Sequence, residues 1–223
     1  MECNITYLPT FLQRLAVELN GVNAIIFDLG GVIINLDTSR TFDRLQNMAS
    51  NVNKSTELEN LYNKGFFNEY ERGNISDPEF RKELSKVFQF NEDQLHEIDE
   101  AWNAMLLDIP SSRIDLVKRL KAGYEVYVLS NTNQIHIDKF NKILFNSVGE
   151  TDLDHIFHKA YYSHRTGYRK PEKEIYQLVL DQHELHSGST LFVDDNPHNI
   201  EAAQSLSLKT LHIPEGDDIL NHL

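Results

Sequence analysis

The segment from Ala24 to Ile34 constrains the fold of this chain most strongly. Four apolar residues end at Asp28, and Gly30 and Gly31 follow almost at once. A short run rich in isoleucine and phenylalanine is typical of a strand buried in a parallel sheet. Asp28 is then at the carboxyl end of that strand, where open α/β sheets bind their ligands. We therefore consider Asp28 a candidate nucleophile or metal ligand. The alternative is an aspartate that only hydrogen-bonds the backbone of a glycine turn.

The rest of the chain alternates between strand-like and helix-like patterns. Further apolar segments predict strands at 125–129, 159–162, 190–193 and 209–213. Helical patterns fill the gaps, at 113–122, 134–146, 171–181 and 198–206. Such alternation predicts a doubly wound, mostly parallel, Rossmann-like α/β sheet.

Residues 38–107 break this alternation, because they carry helical periodicity and no convincing strand. We interpret them as an inserted helical subdomain, with the α/β core formed by 21–37 and 108–223. Before the first strand, apolar residues at helical spacing predict an amphipathic helix over 1–20 that packs on the core or on a partner. These residues are Leu8, Phe11, Leu12, Leu15 and Leu19.

Two helix starts are marked within the insert. Ser76 and Glu79 have the spacing of a capping box, and Pro78 lies in the first turn. Asn91 marks a second start, and that helix is expected to end before Pro110. The two predicted apolar stripes are Phe80, Leu84, Val87 and Phe88, and Leu95, Ile98, Trp102, Met105 and Leu106.

Composition excludes several classes of partner. A net charge of −13 without a basic block argues against nucleic-acid binding, because phosphate backbones are repelled. No apolar run approaches the roughly eighteen residues of a membrane-spanning helix, and the sequence begins Met-Glu-Cys without a basic leader pattern. Cys3 is the single cysteine, which is compatible with a reducing compartment. We expect a cytoplasmic protein without a membrane partner, and a homodimer stays open.

Polar residues follow two further strands in the pattern that Asp28 sets. Ser130 and Asn131 supply a hydroxyl and an amide beside free backbone N–H groups at a helix start, which suits an anion. An ordinary helix cap is the alternative. Lys170 precedes Pro171 at the start of another helix, although most lysines in such positions are solvated surface charges.

The pair Asp194 and Asp195 is the strongest of these signals. Two adjacent carboxylates after an apolar strand repel each other, and a cation relieves that repulsion. Oxygen ligands at a strand end suit Mg²⁺, which takes one or two protein carboxylates and keeps waters and substrate phosphate oxygens. A turn or helix cap is the alternative explanation.

In this chain order the motifs resemble those of the haloacid dehalogenase-like hydrolase superfamily, over residues 24 to about 213. The helical insert is similar to the small α-helical cap of that superfamily. Two-component receiver domains use similar chemistry, but their acid pair lies near the N-terminus. The matching segments are Phe27-Asp28-Leu29-Gly30-Gly31-Val32, Leu129-Ser130-Asn131, Lys170 with its neighbours Arg169 and Pro171, and Val193-Asp194-Asp195 with Asn199.

The resemblance implies a role for each motif. Asp28 attacks phosphorus and gives an aspartyl-phosphate that water hydrolyses. Ser130, Asn131 and nearby backbone N–H groups bind the phosphoryl oxygens, while Lys170 neutralises developing charge. Mg²⁺ shields the nucleophile from the phosphate charge. Its implied ligands are Asp28, the backbone carbonyl of Gly30, Asp194, and Asp195 directly or through water.

Gly30 departs from the family pattern. The usual phosphatases carry a second aspartate two residues after the nucleophile, and glycine has no proton to give. General acid–base help typically supplies roughly 10²–10⁴ in rate. Three explanations are open. The substrate has a good leaving group, such as a sugar phosphate esterified at its anomeric carbon, as in glycine-bearing members that resemble this chain. Alternatively Asp37 substitutes, although it equally suits a helix cap, or the site only binds phosphate or metal.

We therefore expect Mg²⁺-dependent hydrolysis of a small phosphorylated metabolite, with a sugar phosphate as the preferred substrate class. A non-catalytic phosphate-binding or metal-binding protein is the alternative, and the acid pair disfavours a metal-free haloacid dehalogenase. Histidine pairs at 155 and 158 and at 183 and 186 have no third ligand at a recognisable spacing, so we interpret them as solvated surface. Substrate choice depends on the insert, from which four side chains could reach the site: Arg44, Tyr70, Trp102 and Asn103.

Overall fold

The computed structural model describes residues 19–49 and 65–223. Five strands form one parallel sheet in the order β3-β2-β1-β4-β5, which confirms the predicted doubly wound fold. Each predicted strand is present, with ends that differ by one residue at most. The strands are β1 (Ala24–Phe27), β2 (Glu125–Ser130), β3 (Lys159–Tyr162), β4 (Thr190–Asp194) and β5 (Lys209–His212).

Helices cover both faces of the sheet, because both faces of the central strand β1 are apolar. Ile25 and Phe27 pack on one face, and Ala24 and Ile26 pack on the other. The first face is covered by α5 (Ser111–Leu120) and α6 (Gln134–Val148), and the second by α8 (Lys173–Gln182) and α9 (Pro197–Ser205). A single turn, α7 (Ser163–Thr166), follows β3.

In the described part of the predicted insert, four helices form a separate cluster, which we call the cap. A core of apolar side chains, including Phe80, Leu84 and Trp102, holds these helices together. The predicted capping box is confirmed, because the backbone N–H of Ser76 donates to Glu79 Oε2 at 2.7 Å. The helices are α1 (Thr38–Met48), α2 (Gly65–Glu71), α3 (Asp77–Phe88) and α4 (Ile98–Trp102).

The helix predicted to run from Asn91 towards Pro110 is broken into three pieces. A 3₁₀ turn covers Glu92–Glu97, α4 follows, and a second 3₁₀ turn covers Asn103–Met105. Placing Leu95 on the buried stripe was wrong, since this side chain is 44% exposed. Gln94 faces α1 instead, because its amide donates to the carbonyl of Met48.

The amphipathic helix predicted over 1–20 lies outside the described residues, apart from its last two. Leu19, the first residue that is described, is buried against the core. The limits proposed for core and cap stay predictions. None of the described helices combines the length and the hydropathy that crossing a bilayer requires.

Candidate active site

The register of the sheet brings three predicted site segments to one edge. Phe27 pairs with Val128 on β2 and with Val193 on β4, so these three strands end at the same level. Asp28 follows β1, Ser130 ends β2 and Asp194 ends β4. Residues more than sixty positions apart in sequence therefore meet at the carboxyl edge, next to the point where the chain changes its direction of winding.

Lys170 lies at the centre of this edge and is not a surface charge. Its side chain is 1% exposed, and its Nζ is 2.7 Å from both Asp28 Oδ1 and Asp194 Oδ2. Burial lowers the pKa of Lys170, but the adjacent carboxylates of Asp194 and Asp28 outweigh it, and the net shift is upward. The ammonium group therefore stays charged and links the two acids.

Asp28 is an unusual carboxyl group. Its pKa is raised to about 7, chiefly because the group is buried. The charges of Asp194 and Asp195 raise this pKa further, and Lys170 lowers it. Its Oδ1 also accepts from the backbone N–H of Leu29 at 2.6 Å, so part of the glycine-turn alternative is present beside the ion pair. Three carboxyl groups share one ammonium group here, and a further cation would relieve their repulsion.

The same acids could hold a metal ion. Asp28, Asp194 and Asp195 each offer a carboxylate oxygen within 4.8 Å of the others, and this is the one such group among residues 19–49 and 65–223. Gly31 makes room for it, because a Cβ there would lie 2.2 Å from Asp195 Oδ2 and φ is +70°. Oxygen-only ligands suit Mg²⁺, so the residues present fit the predicted ion.

Two asparagines hold the charged groups in place. Asn199 Nδ2 donates to Asp194 Oδ1 and Oδ2 at 3.0 and 3.1 Å. Asn131 Nδ2 donates to the carbonyl of Lys170 at 2.9 Å, and Asn131 Oδ1 accepts from the backbone N–H of Lys170 at 2.8 Å. The sequence motif included Asn199 without a role, and it placed Asn131 on the phosphoryl group, whereas this side chain binds the lysine backbone.

Ser130 and the start of α6 form the other side of the site. Ser130 is buried and lines the cavity described below. Asn133 caps α6 by accepting from the backbone N–H of His136 at 3.0 Å. The helix cap considered for this segment is therefore Asn133. Ser130 is not needed as a cap, and it lines the same cavity as Asp28 and Lys170.

A cavity of about 310 Å³ separates this charged edge from the cap. Trp102 and Tyr70 line it, as two of the four cap candidates. Arg44 and Asn103 line separate surface pockets. Phe67, Met105 and Leu106 also line the cavity, although the sequence analysis did not single them out for this role, because an apolar cap residue has the same pattern whether it lines a cavity or a core. The charged residue Glu71 lines it as well.

Asp37 is a helix cap. It accepts from the backbone N–H of Ser39 at 3.2 Å at the start of α1 and pairs with Arg40. The hydrogen bond from the Ser39 hydroxyl holds the pKa of Asp37 below its ordinary value. A carboxylate that resists protonation is a poor proton donor, and Asp37 does not line the cavity.

The histidine pairs form no metal group in the described parts of the chain. His155, His158 and His186 are exposed, as expected. His183 is half-buried instead, and its Nε2 is 2.7 Å from the hydroxyl of Tyr161. Its role is therefore packing against β2 and β3.

Two ion pairs join the cap to the loop that carries Lys170. Arg169 Nε contacts Glu71 Oε2 at 2.7 Å, and Arg72 contacts Glu172. The charges are reversed between the two pairs, so each side contributes one acid and one base. We call these four residues the latch. The sequence analysis did not predict these ion pairs, because the only local signal was that charged residues flank Lys170.

A parallel α/β sheet that carries an aspartate, a lysine and an acid pair at its carboxyl edge agrees with the hydrolase family that the sequence resembles. Residues 22–206 match the model of the haloacid dehalogenase-like hydrolases, and the chain belongs to that family.

Two relatives and one solved structure extend the comparison. The chain is 30% identical over 197 residues to a D-ribitol-5-phosphate phosphatase of Bacteroides thetaiotaomicron, covering 88% of this chain and 94% of the relative. It is 27% identical over 199 residues to a sesquiterpene phosphatase of Aspergillus oryzae, covering 86% and 90%. An enzyme of the same family from Bacteroides thetaiotaomicron, solved with magnesium and inorganic phosphate, superposes with a TM-score of 0.77 at 33% identity, covering 88% and 96%.

Proposed function

We propose that this protein is a Mg²⁺-dependent phosphatase that acts on a small phosphorylated metabolite through a phosphorylated Asp28. The observation that carries the proposal is Lys170, buried between Asp28 and Asp194 at the wall of the cavity under the cap. The two phosphatases among the relatives, and the magnesium and phosphate bound by the similar structure, support it.

The reaction has two balanced steps. A carboxylate oxygen of Asp28 attacks phosphorus, the bond from phosphorus to the alcohol oxygen breaks, and the alcohol leaves with a proton from water. Water then attacks the acyl phosphate, which releases inorganic phosphate and restores the Asp28 carboxylate. Mg²⁺, held by Asp28, the Gly30 carbonyl, Asp194 and Asp195, supplies shielding of the negative charge that the reacting groups share.

The remaining residues bind and orient. Lys170 stabilises charge that develops on the phosphoryl oxygens, and Ser130 donates a hydrogen bond to them. Asn131 acts mainly as a positioning residue, because its amide binds the lysine backbone on both sides. Asn199 keeps the Asp194 carboxylate turned towards Lys170.

The identity of the alcohol esterified to the phosphate is a separate question. The absence of an acid at Gly30 favours a good leaving group, which was the reason to expect an anomeric sugar phosphate. One relative acts on a polyol phosphate and another on a sesquiterpene phosphate, so these relatives leave the alcohol open. The residues that line the cavity restrict which alcohol can bind.

Hydrolysis of p-nitrophenyl phosphate with and without Mg²⁺ tests the proposal. We expect turnover that requires Mg²⁺ and is lost in Asp28→Asn. Asp115→Asn is the matched control, because this aspartate lies exposed on α5. Mg²⁺ binding without turnover would instead establish a non-catalytic binding protein. Release of halide from a haloacid without metal would establish a dehalogenase.

A further inference from the structure

The cavity in front of Asp28 has a polar floor and an apolar roof. Asp28, Ser130 and Lys170 belong to the floor, together with Asp195. The roof comes from the cap and from the segment that leads into it. We define the roof as Leu36, Phe67, Trp102, Met105 and Leu106.

Polar groups beside the roof are already engaged by the protein itself. The Tyr70 hydroxyl donates to Asp77 Oδ1 at 2.7 Å. The Glu71 carboxylate accepts from Arg169 Nε at 2.7 Å as part of the latch. The Tyr70 donor and one oxygen of Glu71 are therefore taken up by contacts within the protein.

His136 is uncharged, and one of its two ring nitrogens is engaged by the protein. Its Nδ1 lies 2.9 Å from Asn103 Oδ1, and its ring stacks on Trp102 with the ring centroids 4.9 Å apart. Burial lowers the pKa of His136 to about 3, so the ring is neutral near pH 7. The indole N–H of Trp102 points towards Asn133 Oδ1, at 3.4 Å.

These surroundings discriminate between alcohols. A sugar or polyol that enters the cavity loses the water bound to each hydroxyl and finds few replacement partners near the roof. An apolar chain or ring loses nothing comparable and buries its surface against Phe67, Trp102 and Met105.

Resting on the proposed phosphatase function, we infer that the preferred substrate is the phosphate ester of a small apolar alcohol. The floor holds the phosphate, the roof holds the hydrocarbon, and a volume of about 310 Å³ limits its size. This alcohol differs from the sugar that the leaving-group argument from Gly30 favoured. Aryl alcohols satisfy both arguments, since they are apolar and leave readily.

Pentyl phosphate and ribitol 5-phosphate form a matched pair for the test. Both are primary phosphate esters of a five-carbon chain, so they differ chiefly in the hydroxyl groups that the roof would contact. We expect kcat/KM for pentyl phosphate to exceed that for ribitol 5-phosphate by about tenfold or more. An equal or higher value for ribitol 5-phosphate would overturn the inference.

A roof variant makes the comparison specific to this surface. Met105→Gln nearly preserves volume and adds an amide, so we expect it to lower the ratio of the two kcat/KM values by about tenfold. Leu95→Gln is the control, because Leu95 belongs to the same predicted stripe but is exposed and does not line the cavity. Taking the ratio within each variant cancels differences in the fraction of folded protein.

The two levels of proposal fail in different ways. If p-nitrophenyl phosphate is not hydrolysed in an Asp28-dependent manner, the phosphatase proposal fails and the inference fails with it. If that hydrolysis is present but the ratio does not favour pentyl phosphate, the inference alone is overturned. A ratio above about ten that falls in Met105→Gln and persists in Leu95→Gln supports it.

Discussion

Gly30 is the position at which the sequence analysis expected a second acid from the family resemblance, and Leu36 borders the space beside it. A Cβ at position 30 would lie 2.5 Å from Leu36 Cδ1, so a side chain there requires Leu36 to move. Leu36 is half-exposed at the roof of the cavity. Gly30 and the roof residue Leu36 are therefore direct neighbours.

Restoring the acid should require room for it. We predict that Gly30→Asp alone changes activity on pentyl phosphate little or lowers it. Gly30→Asp with Leu36→Ala should raise kcat by about tenfold or more over Leu36→Ala, because a general acid helps a poor leaving group most. The gain on p-nitrophenyl phosphate should be much smaller. Similar gains on both substrates would argue against proton donation.

His136 links stability to pH. Its pKa is about 3 in the folded protein against 6.5 in the unfolded chain, so the unfolded state takes up the proton first as pH falls. The stability due to its neutral ring is fully present above about pH 6.5 and is lost as pH falls towards 3.

We predict that the wild-type protein loses about 2 kcal/mol of unfolding free energy relative to His136→Gln between about pH 7.5 and about pH 5. Urea unfolding of both proteins at each pH measures this difference. Comparing the two removes titrations that they share. A difference that does not vary with pH would mean that the histidine is already accessible to protons in the folded state.

At the scale of elements, the latch joins α2 of the cap to the loop that carries Lys170. Arg169 and Glu172 flank this lysine, and the backbone N–H of Arg169 also donates to Glu172 Oε2 at 3.2 Å. Both side chains of the pair formed by Arg169 and Glu71 are 25% exposed, so water screens the pair only in part. A displacement of the cap would therefore also displace the loop that carries Lys170.

Charge reversal tests this connection. We predict that Glu71→Arg or Arg169→Glu alone raises KM by about fivefold, the equivalent of about 1 kcal/mol, because like charges then face each other. The double variant should recover most of the loss, as expected for residues in direct contact. Lys86→Glu is the control, since the pair formed by Lys86 and Glu83 lies on the exposed side of α3. Additive effects in the double variant would contradict a direct contact.

At the scale of the whole molecule, the charge at the carboxyl edge couples metal binding to folding. Asp28 is distant in sequence from the adjacent residues Asp194 and Asp195. The proposed cation site therefore exists only in the folded protein. We predict that Mg²⁺ at about 100 times its Kd raises the free energy of unfolding by about 2.7 kcal/mol.

Thermal unfolding in Mg²⁺ and in EDTA measures this stabilisation. Asp195→Asn should lose most of it at the same concentration, whereas Asp115→Asn, which changes an exposed aspartate by the same single charge, should keep it. Equal stabilisation of all three proteins would indicate general screening of a chain with a net charge of −13.

The sequence by itself determined the α/β fold, the strand limits to within one residue, and the positions that meet at Asp28. Strand periodicity, glycine turns and strand-end acids are local signals, and parallel pairing then brings the strand ends together. The capping box at Ser76 was predictable for the same reason.

Only the tertiary structure decided which neighbours each side chain has. Lys170 has the sequence pattern of a surface lysine and is buried because two distant carboxylates surround it. Leu95 is exposed because Gln94 takes the position that faces α1. The latch, the partner of Asn131 and the apolar roof likewise depend on contacts between distant segments. Long-range packing has no period in the sequence, so the substrate-facing half of the site emerged from the folded molecule.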